Sequence, residues 1–262
     1  ITDAAFLGRL PSSIPFDAVS TAGLIILTFT SACYGLYHGT QILIAKYLGK
    51  ENEKISSIFY NSFLLLLIIS ALTYGITILV SNGFLSYLVE SETLINAMNE
   101  FLNIRALGFF FSLPGFAFLA LYTGIAQTRF LVWSSIVIAS SNIFLDYALI
   151  FGEFGFPEMG MIGAAWASNT AELFGLIFGV IYLMNHKKSK EIIQSNKFSI
   201  QWLEIKAILN TSSPLMVQGL LATLGWSVFF LLIEKIGLKE LEVSQVIRNI
   251  YYIALVPIIG FS

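Results

Sequence analysis

Asn142 to Ser168 reads NIFLDYALIFGEFGFPEMGMIGAAWAS. An apolar run carries one carboxylate, Asp146, one helical turn after an amide, Asn142. A Gly/Pro loop from Gly152 to Pro157 follows, and then a run of small residues. A carboxylate set in such surroundings is costly in lipid unless it is partnered or used, so function is sought here first.

The surroundings justify that premise. Of the 262 residues, 56% are hydrophobic and only 11% are charged, against about 25% charged in soluble domains. Apolar runs of about 20 residues recur along the chain, which predicts an all-α integral membrane protein with helices, rather than a barrel, crossing the bilayer. The net charge of -2 carries little information, because orientation depends on where Lys and Arg lie. The single cysteine, Cys33, excludes an internal disulfide framework and reads as a small buried hydrophobe.

Hydropathy and helix breakers predict a first span ending near Leu7, whose beginning lies before Ile1. Full spans follow at about 19–46, 57–81, 95–125, 130–151, 161–184 and 212–234, and a last one starts near Leu241. The chain is thus expected to be an internal stretch of a longer protein. Short connections imply antiparallel neighbours in a multi-helix bundle. The charges sort by side. One set of loops holds Lys46, Lys50 and Lys54, then Arg129, then Lys187, Lys188, Lys190 and Lys197. The alternate set holds Glu90 and Glu92, then Glu153 and Glu158, then Glu234, Lys235, Lys239, Glu240 and Glu242. The lysine-rich set is assigned to the cytoplasm, which makes the protein a multi-pass component of the inner (plasma) membrane.

The stretch from His186 to Leu209 is the one long polar connection. Its latter half, FSIQWLEIKAIL, places Ile200, Leu203, Ile205 and Ile208 as a short interfacial helix would. The lysines before it read as a topology anchor and linker between two bundles. A faint internal echo supports two halves. Leu7-Gly8 and Ile236-Gly237 each precede a short polar loop, followed by Asp17-Ala-Val-Ser20 and Glu242-Val-Ser244 respectively. Structural repeats of this kind are common in secondary transporters.

Asn142 and Asp146 lie four apart and share a helix face. At about 1.5 Å per residue, Asp146 lies roughly 24 Å from the cytoplasmic start of its helix and roughly 9 Å from the outer end near Gly152. Asp3 lies at a similar depth below Gly8. If both face one cavity, they form a shared proton or cation site. Desolvation and a second carboxylate make a bare negative pair costly, and a bound proton relieves that cost. Carboxylate, amide and hydroxyl oxygens together also suit a hard cation. Ser168, Asn169 and Thr170 are candidate additional oxygen ligands. The structural alternatives are a cap beneath the Gly152 break for Asp146 and an interfacial loop acid for Asp3.

Weaker candidates are Arg105, as a counter-ion or a snorkelling side chain, and Glu172, one turn beyond Ser168. Gln41 (with His38) and Gln218 could line a cavity or serve as interhelical hydrogen-bond partners. Arg248 suits a pair inside the bundle. Pro114-Gly115 is expected to kink or weaken its helix. No Gly-rich loop ending in Lys-Ser/Thr is present, two isolated histidines and one cysteine give no zinc constellation, and no Ser/His/Asp set appears. An ATPase or embedded enzyme is therefore not expected, nor a cofactor or nucleic-acid partner.

These residues resemble a known family. Asn142-Ile-Phe-Leu-Asp146-Tyr, Leu149-Ile-Phe-Gly152, Gly155-Phe-Pro157, Gly160 and Gly163-Ala-Ala-Trp-Ala-Ser168 look like the signature of multidrug and toxic compound extrusion (MATE) transporters. Asp3 before Gly8, and Gly39-Thr-Gln41 with Ala45 and Gly49, are similar to the ends of that family's first two helices. The resemblance implies twelve helices in two six-helix lobes. Residues 1–185 would be the N-lobe, 186–210 an inter-lobe linker with an amphipathic helix, and 211–262 the start of the C-lobe. It implies export of drug-like or cationic compounds, driven by protons or sodium ions, by a protein acting as a monomer. It assigns Asp3, Asn142 and Asp146, with Ser168 where threonine is common, to the coupling site, including any sodium. Many members carry an acid in the seventh helix where this chain has Ala222, so coupling is expected to rest on the N-lobe. The alternative within the superfamily is a lipid-linked oligosaccharide flippase, which would want more cavity arginines than Arg105 and Arg248.

Overall fold

Helices form wherever the chain is apolar for long enough to leave its backbone no other partner than itself. In the computed structural model the backbone is described for residues 2–195 and 198–261, and side chains through Tyr251 except Leu88, Leu238 and Asn249. Ile1 and the expected cytoplasmic Lys197 lie outside the described residues. Eleven α-helices follow one another in the described residues: α1 Thr2–Leu7, α2 Ile14–Tyr47, α3 Asn52–Gly83, α4 Leu85–Leu88, α5 Glu92–Arg105, α6 Phe109–Gly124, α7 Arg129–Phe151, α8 Gly160–Asn185, α9 Lys187–Gln194, α10 Trp202–Ile236 and α11 Leu238–Phe261.

Among the described residues, six segments are long and apolar enough to cross a membrane: α2, α3, the α5–α6 unit from Glu92 to Gly124, α7, α8 and α10. They match the six full spans expected from hydropathy, each starting somewhat earlier than expected. The 34 residues of α2 would extend about 51 Å, well beyond a hydrocarbon core of about 30 Å, so its ends project past the apolar layer or it tilts.

Local chemistry sets several boundaries. Pro15 opens α2, where its missing N–H costs nothing. The Ser91 hydroxyl caps α5 by accepting from the Leu94 N–H at 3.4 Å. Gly152 ends α7 in the left-handed region, φ 72°. The loop then returns so tightly that the Met159 N–H donates to the Leu149 carbonyl at 2.8 Å. A Cβ on Gly163 would lie 2.6 Å from that same carbonyl. The small residues thus let α8 lie directly against α7, and the opening stretch is a tight helical hairpin.

Two expectations change. The segment 198–209 is not a separate interfacial helix: from Trp202 it is the first turns of α10, which runs unbroken through Pro214 to Ile236. The short amphipathic helix is instead α9, one turn of chain earlier, with Ile192 and Ile193 buried and Lys187, Lys188 and Lys190 exposed. Its Ile193 carbonyl accepts from the buried Ser56 hydroxyl of α3 at 2.7 Å. Likewise, the departure from α geometry in the third span is not at Pro114, which lies inside α6. It is a 3-10 turn at Ala106–Gly108, where α8 comes closest to the backbone (below).

The two halves meet along α2 and α10, which run antiparallel. Gly39 abuts Ser212, and Gly35 abuts the Leu215–Met216 backbone. The Ser31 hydroxyl pairs with Thr223 at 2.7 Å, and Thr28 with Ser227 at 3.1 Å. The glycines let the backbones touch, and the hydroxyls satisfy one another in the dry seam.

Candidate functional site

α1 is only six residues long, yet it delivers Asp3 to the α7–α8 hairpin. The Ser168 hydroxyl donates to Asp3 Oδ2 at 2.8 Å. The Asn142 side-chain N–H donates to Asp3 Oδ1 and to Ser168 Oγ, both at 3.3 Å. Thr2 closes the network by donating its hydroxyl to Asn142 Oδ1 at 2.5 Å. Asp146, one turn along α7, is fully buried. No protein N–H or hydroxyl donates to its carboxylate oxygens, and its hydrogen-bonding neighbour is the Asp3 carboxyl, a carboxyl–carboxyl contact that needs a proton between the two acids.

The structure therefore brings Asp3, Asn142, Asp146 and Ser168 together. Two carboxylates, an amide oxygen and two hydroxyls converge, and no protein donor reaches the Asp146 oxygens. A buried acceptor left unpaired carries a desolvation cost of about 1–3 kcal/mol, more for a charged group. A proton on the pair, or a hard cation held by this oxygen set, offsets it. No group of three or more His, Cys, Asp or Glu residues able to hold a metal occurs among the described residues, so any cation here would depend on the amide and hydroxyls as well.

Asn169 does not join this cluster. Its amide donates to the Ile104 carbonyl at 2.7 Å, and its oxygen accepts from Arg105 Nη1 at 2.9 Å. Arg105 also forms a two-pronged ion pair with Glu172, Nη1 to Oε2 at 3.1 Å and Nη2 to Oε1 at 2.5 Å. The 3-10 turn makes this possible: a Cβ on Gly108 would fall on the Arg105 guanidinium, the Asn169 oxygen and the Glu172 carboxylate at once. No hydrogen bond of Thr170 is present among the described contacts of the cluster.

Three neighbouring cavities surround these groups. One of about 480 Å³ opens on the cluster itself, past Thr2, Asp3, Asn142 and Ser168. A second of about 360 Å³ lies between the halves and is lined by Asp3, Tyr34, Arg105, Ser168, Glu172 and Arg248, among others. A third of about 300 Å³ penetrates the first bundle between α6, α7 and α8. Five aromatic side chains, Tyr34, Phe111, Phe116, Phe118 and Phe130, share its walls with aliphatic and hydroxyl residues. Glu172 lines all three. Arg248 reaches the second cavity from α11, donates to the Ser20 carbonyl at 3.4 Å and lies 4.5 Å over the Phe230 ring.

Gln41 and Gln218 line none of these three cavities. Gln41 sits two turns past Tyr34, where its backbone packs against Gly124 of α6. Gln218 is exposed, because Met216 and Gly219 are the residues that α10 turns toward α2. Ala222 lies on the same open side, beside Gly225, Trp226 and Phe229. Thr2 and the Asn169 bridge were not anticipated. Thr2 is an ordinary polar residue in sequence and shows its role only once α1 is docked on α7.

The bundle of membrane-length helices thus holds an acid–amide–hydroxyl cluster beside cavities of ligand size. A family model described as MatE matches residues 1–148, and the chain belongs to that family, which is one of transporters and not of enzymes. The chain is 27% identical over 274 residues to a probable multidrug resistance protein NorM of Thermotoga maritima, covering 100% of this chain and 56% of that protein. It is 24% identical over 221 residues to a probable NorM of Listeria monocytogenes, covering 82% and 48%. The chain thus spans about half the length of the curated relatives it matches. Its fold is that of a solved multidrug resistance MATE family transporter of the MOP superfamily in an inward-facing conformation, with a TM-score of 0.86, 20% identity, and 99% of this chain and 58% of that one covered.

Proposed function

We propose that this chain supplies the ion-coupling half of a transporter that exports drug-like or toxic organic compounds against an inward flow of protons or sodium ions. The observation that carries this reading is the buried Asp146 carboxylate, which no protein donor reaches and which faces the Asp3 carboxyl of the Asp3–Asn142–Ser168 network. The cluster holds the coupling ion, and its occupancy favours one arrangement of the lobes over the other. In this reading residues 1–185 form the N-lobe, 211–262 open the C-lobe, and the protein works as a monomer. With Ala222 in place of an acid on α10, coupling runs through the N-lobe alone. The flippase reading is less supported, because the Arg105 guanidinium is committed to Glu172 and Asn169 rather than presented to an anionic ligand.

The test is efflux of a fluorescent organic cation from proteoliposomes carrying the full-length protein, under a sodium gradient and a pH gradient applied separately. One gradient is expected to drive efflux, and an ionophore that collapses it to stop efflux. Efflux indifferent to both gradients would overturn the reading.

A further inference from the structure

The Arg105–Glu172 pair is more than an interhelical strut. Glu172 is the one charged side chain on the wall of the aromatic cavity, and it also faces the two cavities that reach Asp3. Tyr34 and Phe116, both on the wall of that cavity, stack with ring centroids 4.8 Å apart. A flat cation is the ligand such a wall suits, held by aromatic faces and one carboxylate. Arg105 already holds that carboxylate, with a guanidinium that is itself a flat cation. Asp3 acts electrostatically on both members of the pair. Gly108, by having no side chain, leaves the room in which the guanidinium sits.

We propose that Glu172 is the carboxylate that receives the cationic group of a ligand in the aromatic cavity, and that Arg105 is the internal cation this ligand displaces toward Asp3. The inference rests on the transport reading above and adds to it. Arg105 keeps Glu172 neutralised while the cavity is empty, so the empty protein does not carry a bare buried charge. When ligand takes Glu172, the released guanidinium adds positive charge beside the ion cluster and disfavours a bound cation there. Ligand and coupling ion thereby oppose each other through one side chain, as an exchanger requires.

The test is ethidium, a planar aromatic cation, titrated by fluorescence polarisation into the full-length protein. Phenanthridine, the uncharged parent ring, is measured by displacement. Glu172→Gln is expected to weaken ethidium by about tenfold or more, and Arg105→Gln, which removes the competitor, to tighten it by about tenfold. Phenanthridine should shift by less than about twofold in either. A structural strut predicts the opposite for arginine: Arg105→Gln would weaken ethidium along with Glu172→Gln, and that result overturns the proposal, as does unchanged binding in Glu172→Gln. Should the Gln variants fail to fold, Arg105→Lys carries the test, since a point charge holds the carboxylate less firmly than the two-pronged fork. It should tighten ethidium, and weaker or equal binding would overturn the proposal. Binding needs no gradient, so loss of driven efflux with these shifts intact would defeat the transport reading and leave this assignment standing.

Discussion

Asp146 is completely enclosed, yet no protein N–H or hydroxyl donates to its oxygens. Asp3, by contrast, has both oxygens occupied, one by Asn142 and one by Ser168. Asp3 is positioned by those donors, and the unmet demand of the carboxyl pair falls at Asp146, whose hydrogen-bonding neighbour is Asp3 itself. Removing the hydroxyl that positions Asp3 should loosen the site without emptying it. Ser168→Ala is expected to raise the half-saturating concentration of the coupling ion by about fivefold, the equivalent of about 1 kcal/mol for one lost hydrogen bond, measured as the ion dependence of efflux. Ser168→Thr keeps the hydroxyl and should stay near the wild-type value. At Gly108 the prediction concerns stability. Gly108→Val drives a side chain into the Arg105–Glu172 pair and should cost at least about 1–3 kcal/mol, read as a lower thermal midpoint in detergent.

At the scale of elements, the α7–α8 hairpin sets the site geometry. Asn142 and Ser168 meet because Gly152 turns the chain and Gly163 lets the helices touch. Gly163→Leu should separate them, lowering the thermal midpoint and abolishing ion dependence together, whereas Trp166→Leu, at an exposed position of the same helix, should do neither. This hairpin was legible in the sequence because its determinants are local: a carboxylate and an amide one turn apart, glycines at the bend, and small residues after it. The six full spans were legible for the same reason, since hydropathy is a local sum. What escaped depends on how helices rotate against each other. Gln218 carries the right chemistry but is exposed on α10, Gln41 is half-buried outside the three cavities, and Thr2 acquires a role only by docking. The segment after Phe198 has the spacing of an interfacial helix, yet nothing in it stops helix growth before α10, and Pro214 does not break the run. Its start is held instead by Asn61 of α3, which accepts from the Gln201 N–H at 2.9 Å and donates to the Ser199 carbonyl at 3.2 Å.

Across the whole molecule, the seam between α2 and α10 is closed from Gly39–Ser212 at one end to Thr28–Ser227 at the other. Any alternation of access must open the seam at one of these ends. Cysteines at Thr28 and Ser227, with Cys33 replaced by serine, are expected to be joined by a short thiol cross-linker and to arrest efflux, with recovery when a cleavable linker is cut. Cross-linking that leaves efflux unaffected would show that the seam does not open during the cycle. The cavity between the halves takes walls from α1, α2 and α8, so in the proposed cycle a movement of α2 at the seam would reach the residues beside the cluster.

The central claim, that the cluster at Asp146 couples ion flow to export, is tested most directly by Asp146→Asn in the full-length protein. Ethidium binding and gradient-driven efflux would be measured on the same preparation. The account predicts binding within about twofold of the wild type and no driven efflux. Driven efflux at the wild-type rate would contradict it.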